Sequence, residues 1–342
     1  MKKFLLPESG NFYKANLHCH TTISDGRRTP EEVKDAYLAK GYSIVAYTDH
    51  DVLVPQNHLT DENFVALNGY ELGIPDESEL TYGYLKKACH IGFISKDENN
   101  RNQPCFHHLE YLDRNENGDI RASLIKINAD DEHEDATYSP EMINKIMKAV
   151  KEKGFYVIYN HPTWSMERYT DYINYDGMDA FEMFNGGSLK GGYEEYNPRV
   201  YDDLLISGKK IFCVGADDNH SRYIGTRMCD EGIAFTVIKA EELTYASVIK
   251  ALEDGNFYAS TGPEIYELYL EDGKVYVKCS DADRITISYG IRKAGIVCND
   301  DYSPVNEATF VLPNDYDYFR ITVVDENGRQ ACTNAYFMED LI

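Results

Sequence analysis

Apolar residues come in short blocks along this chain, each ended by a glycine, a proline or a polar cluster. Residues 12–18 read as a first strand. Thr29-Pro30-Glu31-Glu32 then opens a helix, with a capping Thr, Pro at the first helical position and acids in the first turn. The pattern carries this helix to about Lys40, Gly41 stops it, and residues 43–47 form the next strand. A strand, helix, strand unit of this kind implies a parallel pair.

The alternation recurs. Residues 64–72 and 88–94 read as strands, and Ser139-Pro140-Glu141 starts a helix that ends near Gly154. Strands at 155–159, 178–184 and 211–215 follow, with helices at 198–207 and 243–254. Such a series predicts an α/β fold, a closed barrel first and a doubly wound open sheet as the alternative. From about Glu264 the period changes to short alternating stretches at 268–270, 274–279, 284–289, 308–312, 319–324 and 331–337. The turns Glu271-Asp272-Gly273 and Glu326-Asn327-Gly328 separate them, so a small all-β, sandwich-like domain is expected. The chain thus divides into residues 1–263 and 264–342. Residues 96–138, rich in Asn, Asp and Glu, interrupt the first part and read as an insertion, a lid or a surface excursion. The fragment Asp113 to Asp119 within it lacks the spacing and closing Glu of an EF-hand calcium loop.

A length of 342 residues, 43% of them hydrophobic, gives room for a barrel-sized domain and a smaller one. The net charge of −24 bears on partners: it opposes binding to duplex nucleic acid or to an anionic membrane. A small phosphorylated substrate drawn to metal ions remains compatible with it. The cysteines are scattered without a CxxC pair, which predicts free thiols in a reducing compartment. No apolar run approaches the roughly 20 residues that span a bilayer. Residues Met1 to Glu8 lack the apolar core of a signal peptide, so a cytoplasmic location is expected, with a removed leader left open.

Chemistry enters with His18-Cys19-His20. On a strand, residues i and i+2 share a face, so both imidazoles can reach one ion while Cys19 points away. Ser24-Asp25-Gly26 is a tight turn that can return a carboxylate to the strand end. Thr48-Asp49-His50-Asp51 ends the second strand, Glu71 the third, and His90 lies in the fourth. Asn160-His161-Pro162 and Asp217-Asp218-Asn219-His220 each follow a later strand. In parallel α/β folds, sites assemble at the C-terminal strand ends. Any one of these histidines alone is as readily structural; six of the ten at strand ends, with carboxylates between them, are not. His58, His107, His108 and His133 fall in predicted loops. A donor set of imidazole and carboxylate without thiolate suits Zn, Mn or Fe, and Glu71 is the natural bridging carboxylate.

In this order the motifs resemble the PHP family of polymerase and histidinol phosphatase domains. The matches are His18-x-His20, Ser24-Asp25-Gly26, Thr48-Asp49-His50-Asp51, Glu71, His90 before Ile-Gly, Asn160-His161-Pro162 and Asp218-x-His220. They cover about two thirds of the chain. Ala259-Ser260-Thr261-Gly262-Pro263, followed by a β domain, looks like the two-domain members. The resemblance implies a distorted (β/α)7 barrel with a C-terminal β domain. It also implies two or three divalent ions that activate water against a phosphoric ester. His18, His20, Glu71 and Asp218 would hold the first ion; Glu71, His90 and His161 the second; Asp25, His50 and His220 the third. Glu71 and Asp218 would then be catalytic, with Asp217 as the rival to Asp218 and with Asp49 and Asp51 orienting ligands or serving only as turn residues. Arg222 is favoured over Arg27, Arg28 and Arg227 to hold the phosphate, and Trp164 would stack on a base, cover the site or fill the core. The substrate expected is a small phosphomonoester or nucleotide. The rival reading is a non-catalytic metal-binding or regulatory protein that acts through its β domain. That domain also suits packing or dimerisation, so a homo-oligomer is a further expectation.

Overall fold

The computed structural model describes residues 2–77, 87–104, 136–313 and 315–341. The strands are β1 (Lys3–Phe4), β2 (Asn11–Asn16), β3 (Ile44–Tyr47), β4 (Val65–Pro75), β5 (Ala88–Ser95), β6 (Phe155–Tyr159), β7 (Ala180–Asn185), β8 (Phe212–Ala216), β9 (Phe235–Ala240) and β10 (Phe257–Ser260). The C-terminal part adds β11 (Ile265–Glu271), β12 (Lys274–Ala282), β13 (Arg284–Tyr289), β14 (Ala294–Val297), β15 (Val305–Val311), β16 (Tyr318–Val324), β17 (Gln330–Thr333) and β18 (Tyr336–Phe337). The insertion reading of 96–138 falls largely on residues 105–135, which lie outside the described residues, as do His107, His108, His133 and the Asp113 to Asp119 fragment.

Strands β2 to β8 are hydrogen-bonded neighbours in chain order. The pairs β2/β3, β3/β4, β6/β7 and β7/β8 are parallel, as the helical crossovers require. The expectation of an all-parallel series fails at β5, which runs antiparallel to both β4 and β6. The two apolar runs 64–72 and 88–94 have no helical pattern between them, so nothing in them encoded a crossover. Strands β2 and β8 meet at their ends through the bridge between Cys19 and Asn219, with His20 N donating to Asn219 O at 3.0 Å. Behind that bridge Thr236 of β9 fills the gap, its Oγ1 bonded to the N and O of Gly215 at 3.1 and 2.9 Å. The ends of the first and last strands of the series are thereby held side by side.

Periodicity explains the layers. The helix Pro140–Glu152 buries Ile143, Ile146, Met147 and Val150, an i, i+3, i+4, i+7 stripe, on the outer face of β6 beside Phe155 and Val157. Its N-cap is Ser139, whose side chain accepts from Met142 N. The helix Pro30–Leu38 starts with the expected capping box: Glu32 N to Thr29 Oγ1 at 3.3 Å and Thr29 N to Glu32 Oε2 at 3.0 Å. On the opposite face of the sheet, Leu17, Ile44, Leu67, Ile158 and Val214 share a buried cluster with Val248, Ile249 and Leu252 of the helix Tyr245–Glu253. Burial of each such side chain is worth about 1.5–3 kcal/mol.

The C-terminal part is two facing sheets, β1-β11-β12-β15 and β14-β13-β16-β17, with β18 beside β16. Val275, Val277, Ile285, Ile287, Phe310, Ile321 and Val323 are buried between them, the inward half of each alternating strand. Strand β17 pairs with β10 and β10 with β9, so one sheet runs from the α/β part into the β part. No helix among the described residues is long and apolar enough to cross a membrane.

Candidate metal centre

Glu71 is the middle of the site. Its Oε1 lies 3.2 Å from His18 Nε2, 3.2 Å from His90 Nδ1 and 3.1 Å from His161 Nε2. Its Oε2 is 3.2 Å from His50 Nδ1 and 3.5 Å from His20 Nε2. Asn160 Nδ2 also donates to Oε1 at 2.7 Å. Asp218 stands on one side, with Oδ1 3.0 Å from His20 Nε2 and 3.3 Å from His18 Nε2. Asp25 stands on the other, with Oδ1 3.2 Å from His220 Nε2, 3.8 Å from His50 and 3.9 Å from His20. All nine side chains singled out from the sequence are therefore brought together.

The strands explain how. His18 and His20 follow β2, His50 follows β3, His161 follows β6, and Asp218 and His220 follow β8. Glu71 sits within β4 because that strand runs on to Pro75, past the expected end. His90 lies near the start of β5, and the reversed direction of β5 puts that start at the same end of the sheet. Cys19 points away, into the core beside Val33 and Tyr37.

The donor chemistry fits divalent ions. Donor atoms lie within 4.8 Å of one another in four overlapping sets: His20, Asp25, His50 and His220; His18, Glu71 and His161; His18, His20 and Asp218; His50, Glu71 and His90. The sets differ in detail from the division that the family resemblance implies, but Glu71 spans two of them in either scheme. His18 Nε2 and His20 Nε2 face each other at 3.1 Å. Two neutral imidazole lone pairs repel at that distance, so a cation or a proton must lie between them. Asp25 Oδ1, His90 Nδ1 and Asp218 Oδ1 are buried, each 3.0–3.2 Å from an imidazole or carboxylate atom of the cluster but in no well-formed hydrogen bond among the described residues. Each costs about 1–3 kcal/mol if left so.

The titration tendencies agree in sign. Burial works against charge on His18, but Asp218, Glu71 and Glu182 outweigh it and raise its pKa well above the usual imidazole value. Burial works against charge on Glu71 as well, and His18 and His90 hold its pKa well below the usual carboxylate value. Buried carboxylates that pull protons onto imidazoles are a site that calls for positive charge.

The two adjacent aspartates have different tasks. Asp217 turns inward, its carboxylate accepting from the backbone N–H of Gly232, Ile233 and Ala234 and from Tyr37 Oη. Burial, only partly offset by those donors, pushes its pKa up to about 6. Asp218 takes the left-handed conformation, φ 49°, which carries its carboxylate back to the histidines. Asp49 accepts from Thr21 N, Thr21 Oγ1, Ser24 N and Ser24 Oγ at 2.6–3.0 Å, and so anchors the turn that carries Asp25. Asp51 is also left-handed, φ 63°, with its backbone N donating to Glu71 O at 2.8 Å. Gly26 belongs to the Asp25 turn, where a Cβ would sit 2.5 Å from His20 O and 2.7 Å from Thr21 N. Gly26→Ala is expected to displace Asp25, lower stability by about 1–3 kcal/mol and weaken ion binding at the His50 and His220 side. Urea unfolding and metal titration of the variant check both.

A cavity of about 160 Å³ opens on the cluster, lined by Asp25, His50, Glu71, His90, His161, Asp218, His220, Trp164, Arg222 and the turn Gly187, Ser188 and Gly191. Of the four arginines, Arg222 alone lines it, its Nη2 3.5 Å from Asp25 Oδ2. Arg28 is engaged by Glu231 at 2.8 Å. Trp164 is not core: it is 38% exposed, with its ring edge-on to His90 and His161 at 5.1 and 5.2 Å between centroids.

Sequence reasoning missed Glu182, in β7. It is buried, its Oε1 3.1 Å from His18 Nδ1 and its Oε2 accepting from His161 N at 3.1 Å and Asn185 Nδ2 at 3.0 Å. Asn185 Nδ2 also lies 3.2 Å from Asp218 Oδ2. The available signal was a lone Glu in the otherwise apolar strand 180–184. A carboxylate behind a ligating imidazole fixes its tautomer and orientation. Glu182→Gln is expected to weaken metal binding about 10–100-fold, read by competition with a chelator, while the fold is kept.

Fold and cluster together define a class: a mixed α/β protein with a large sheet, a C-terminal β region and a candidate His/carboxylate metal site at its strand ends. A scan against protein-family models finds no match, and a search of curated proteins finds none. Among solved structures, the chain is similar to a two-domain protein from Bacteroides vulgatus containing a predicted PHP-like metal-dependent phosphoesterase, at 14% identity, TM-score 0.46 and 98% coverage of both chains. It is similar to a candidate metal-dependent phosphoesterase of Bifidobacterium adolescentis at 16% identity and TM-score 0.39, over 65% of this chain and 91% of that one. A third is an amidohydrolase from Chromobacterium violaceum with bound sulfate and no metal, at 15% identity and TM-score 0.40, over 63% of this chain and 93% of that one. At these TM-scores the likenesses carry no argument; the functional reading rests on the site.

Proposed function

We propose that this chain is a metal-dependent phosphoesterase that hydrolyses a small phosphorylated substrate, a nucleotide or another phosphomonoester, at a di- or trinuclear site. The observation that carries the reading is Glu71, whose two oxygens meet five imidazoles within 3.5 Å. One carboxylate so placed can bridge two ions. His18, His20, His90, His161 and Asp218 would surround that pair; Asp25, His50 and His220 would hold a third. Zn, Mn or Fe in such a donor set supplies Lewis acidity, lowering the pKa of water and offsetting charge on phosphoryl oxygens.

The protein's own groups do the rest. The cavity walls would receive the phosphoryl group beside the cluster. Arg222 at the rim holds phosphate oxygens, its fork matching their geometry. The narrow cavity and the −24 net charge favour a small substrate over a duplex. The same reading takes β2 to β8 as a distorted seven-stranded barrel, divides the chain near residue 263, keeps the β domain for packing or dimerisation, and places the protein in the cytoplasm. Free thiols at Cys19, Cys89, Cys213, Cys279 and Cys332 support a reducing setting.

The test is phosphate release from an aryl phosphate and a nucleotide panel by protein stripped of metal and then reloaded with Mn or Zn. Turnover restored by metal, and lost in His20→Ala, is expected. Ions bound without turnover on any phosphoester would favour the non-catalytic reading instead.

A further inference from the structure

We infer that Trp164 is a stacking platform for the leaving group, and that the substrate is therefore a phosphomonoester of a flat aromatic ring. This inference rests on the phosphoesterase reading and adds to it the chemistry of the part of the substrate that does not react.

The cavity of about 160 Å³ has room for only a few water-sized groups, each about 30 Å³. A phosphoryl group at the buried cluster takes up part of that, and the rest of the substrate extends along the wall toward the rim. Every other side chain lining the cavity is charged, a histidine or a serine, with glycines completing the wall. Among the described residues that line the cavity, Trp164 is thus the one with a large apolar side chain. Its edge-on contacts with His90 and His161 seat it beside the ions' place, while the 38% exposure leaves part of the ring open.

The backbone that carries the indole is also held in position. Trp164 N donates to Glu195 Oε2 at 2.6 Å and Thr163 N to Glu195 Oε1 at 3.0 Å. Glu195 is fully buried, and Asn197 Nδ2 and the Thr163 hydroxyl, through Asn197 Oδ1, complete the clamp. A buried carboxylate that accepts two successive backbone N–H groups makes the turn rigid. An aromatic side chain on a rigid turn loses little entropy when a ring stacks on it. Arg222 lines the same cavity, so phosphate and ring have separate contacts.

Trp164 is the only tryptophan in the chain, so emission excited at wavelengths where the 28 tyrosines barely absorb reports the contact. The experiment titrates Zn-loaded protein with phenylphosphonate and with methylphosphonate, following fluorescence and, for variants, heat of binding. Phenylphosphonate is expected to quench the emission saturably and to bind on the order of threefold to tenfold more tightly than methylphosphonate. Trp164→Leu, which keeps apolar bulk, should remove that preference, and Trp164→Phe should restore most of it. Equal binding of the two phosphonates, or a preference that survives in Trp164→Leu, overturns the stacking role and leaves the phosphoesterase reading standing. Binding of neither phosphonate to zinc-loaded protein overturns both.

Discussion

Glu71→Gln is expected to reduce metal-dependent phosphoester hydrolysis by about 10³-fold and to lower the number of ions held per chain. The side chain meets His18, His90 and His161 through one oxygen and His50 and His20 through the other. Glutamine keeps the shape and replaces one oxygen with an N–H₂ group that can only donate. That group would face imidazole nitrogens and an ion, so bridging is lost. Lewis-acid stabilisation of a phosphoryl transition state is worth several kcal/mol, and every 1.36 kcal/mol is tenfold in rate. Metal content by elemental analysis, beside turnover of an aryl phosphate, checks both parts. Full activity with one oxygen converted to an amide would remove Glu71 from the centre of the account.

Asp217→Ala is expected to be the more damaging of the two adjacent aspartate substitutions for the fold, by about 3–5 kcal/mol. It strands the N–H groups of Gly232, Ile233 and Ala234 and the Tyr37 hydroxyl, all of which donate to that carboxylate. Asp218→Ala should act the other way round: unfolding close to that of the unaltered protein, with metal binding lost. Asp218 takes only one side-chain amide, Asn185 Nδ2, which keeps Glu182 Oε2 as its other acceptor, and its nearest other neighbours are His18 and His20, so its removal strands no backbone group. Urea unfolding of the two metal-free variants separates them, provided the slope m is unchanged. A larger loss in Asp218→Ala would exchange the assigned tasks.

The contrast between these neighbours shows what the sequence makes legible. The spacing of Asp218 and His220 marked the aspartate that faces the histidines, because two residues apart after a strand is enough to reach one cluster. The helix at Pro30 was readable from its cap, since Thr29 and Glu32 act over three residues. Most donors were readable because they fall beside a strand end, where local pattern is strongest; Glu71 lies inside β4 and Asp25 in a turn. The direction of β5 was not, because pairing with β4 and β6 depends on the whole sheet. Strands β9 and β10 were overlooked for a similar reason: Phe235–Ala240 and Phe257–Ser260 sit between stronger signals and gain their identity by pairing. Glu182 escaped because its partner His18 is 164 residues away and no local motif joins them. Antiparallel insertion of β5 still left His90 in place, since reversal of a strand also reverses which of its ends faces the site.

The most direct test of the central claim is anomalous diffraction at the zinc edge from crystals of the zinc-loaded chain. Two or three peaks are expected inside the ring of His18, His20, Asp25, His50, His90, His161, Asp218 and His220, with Glu71 between the first two. A cluster free of peaks in crystals that hold zinc elsewhere would contradict it.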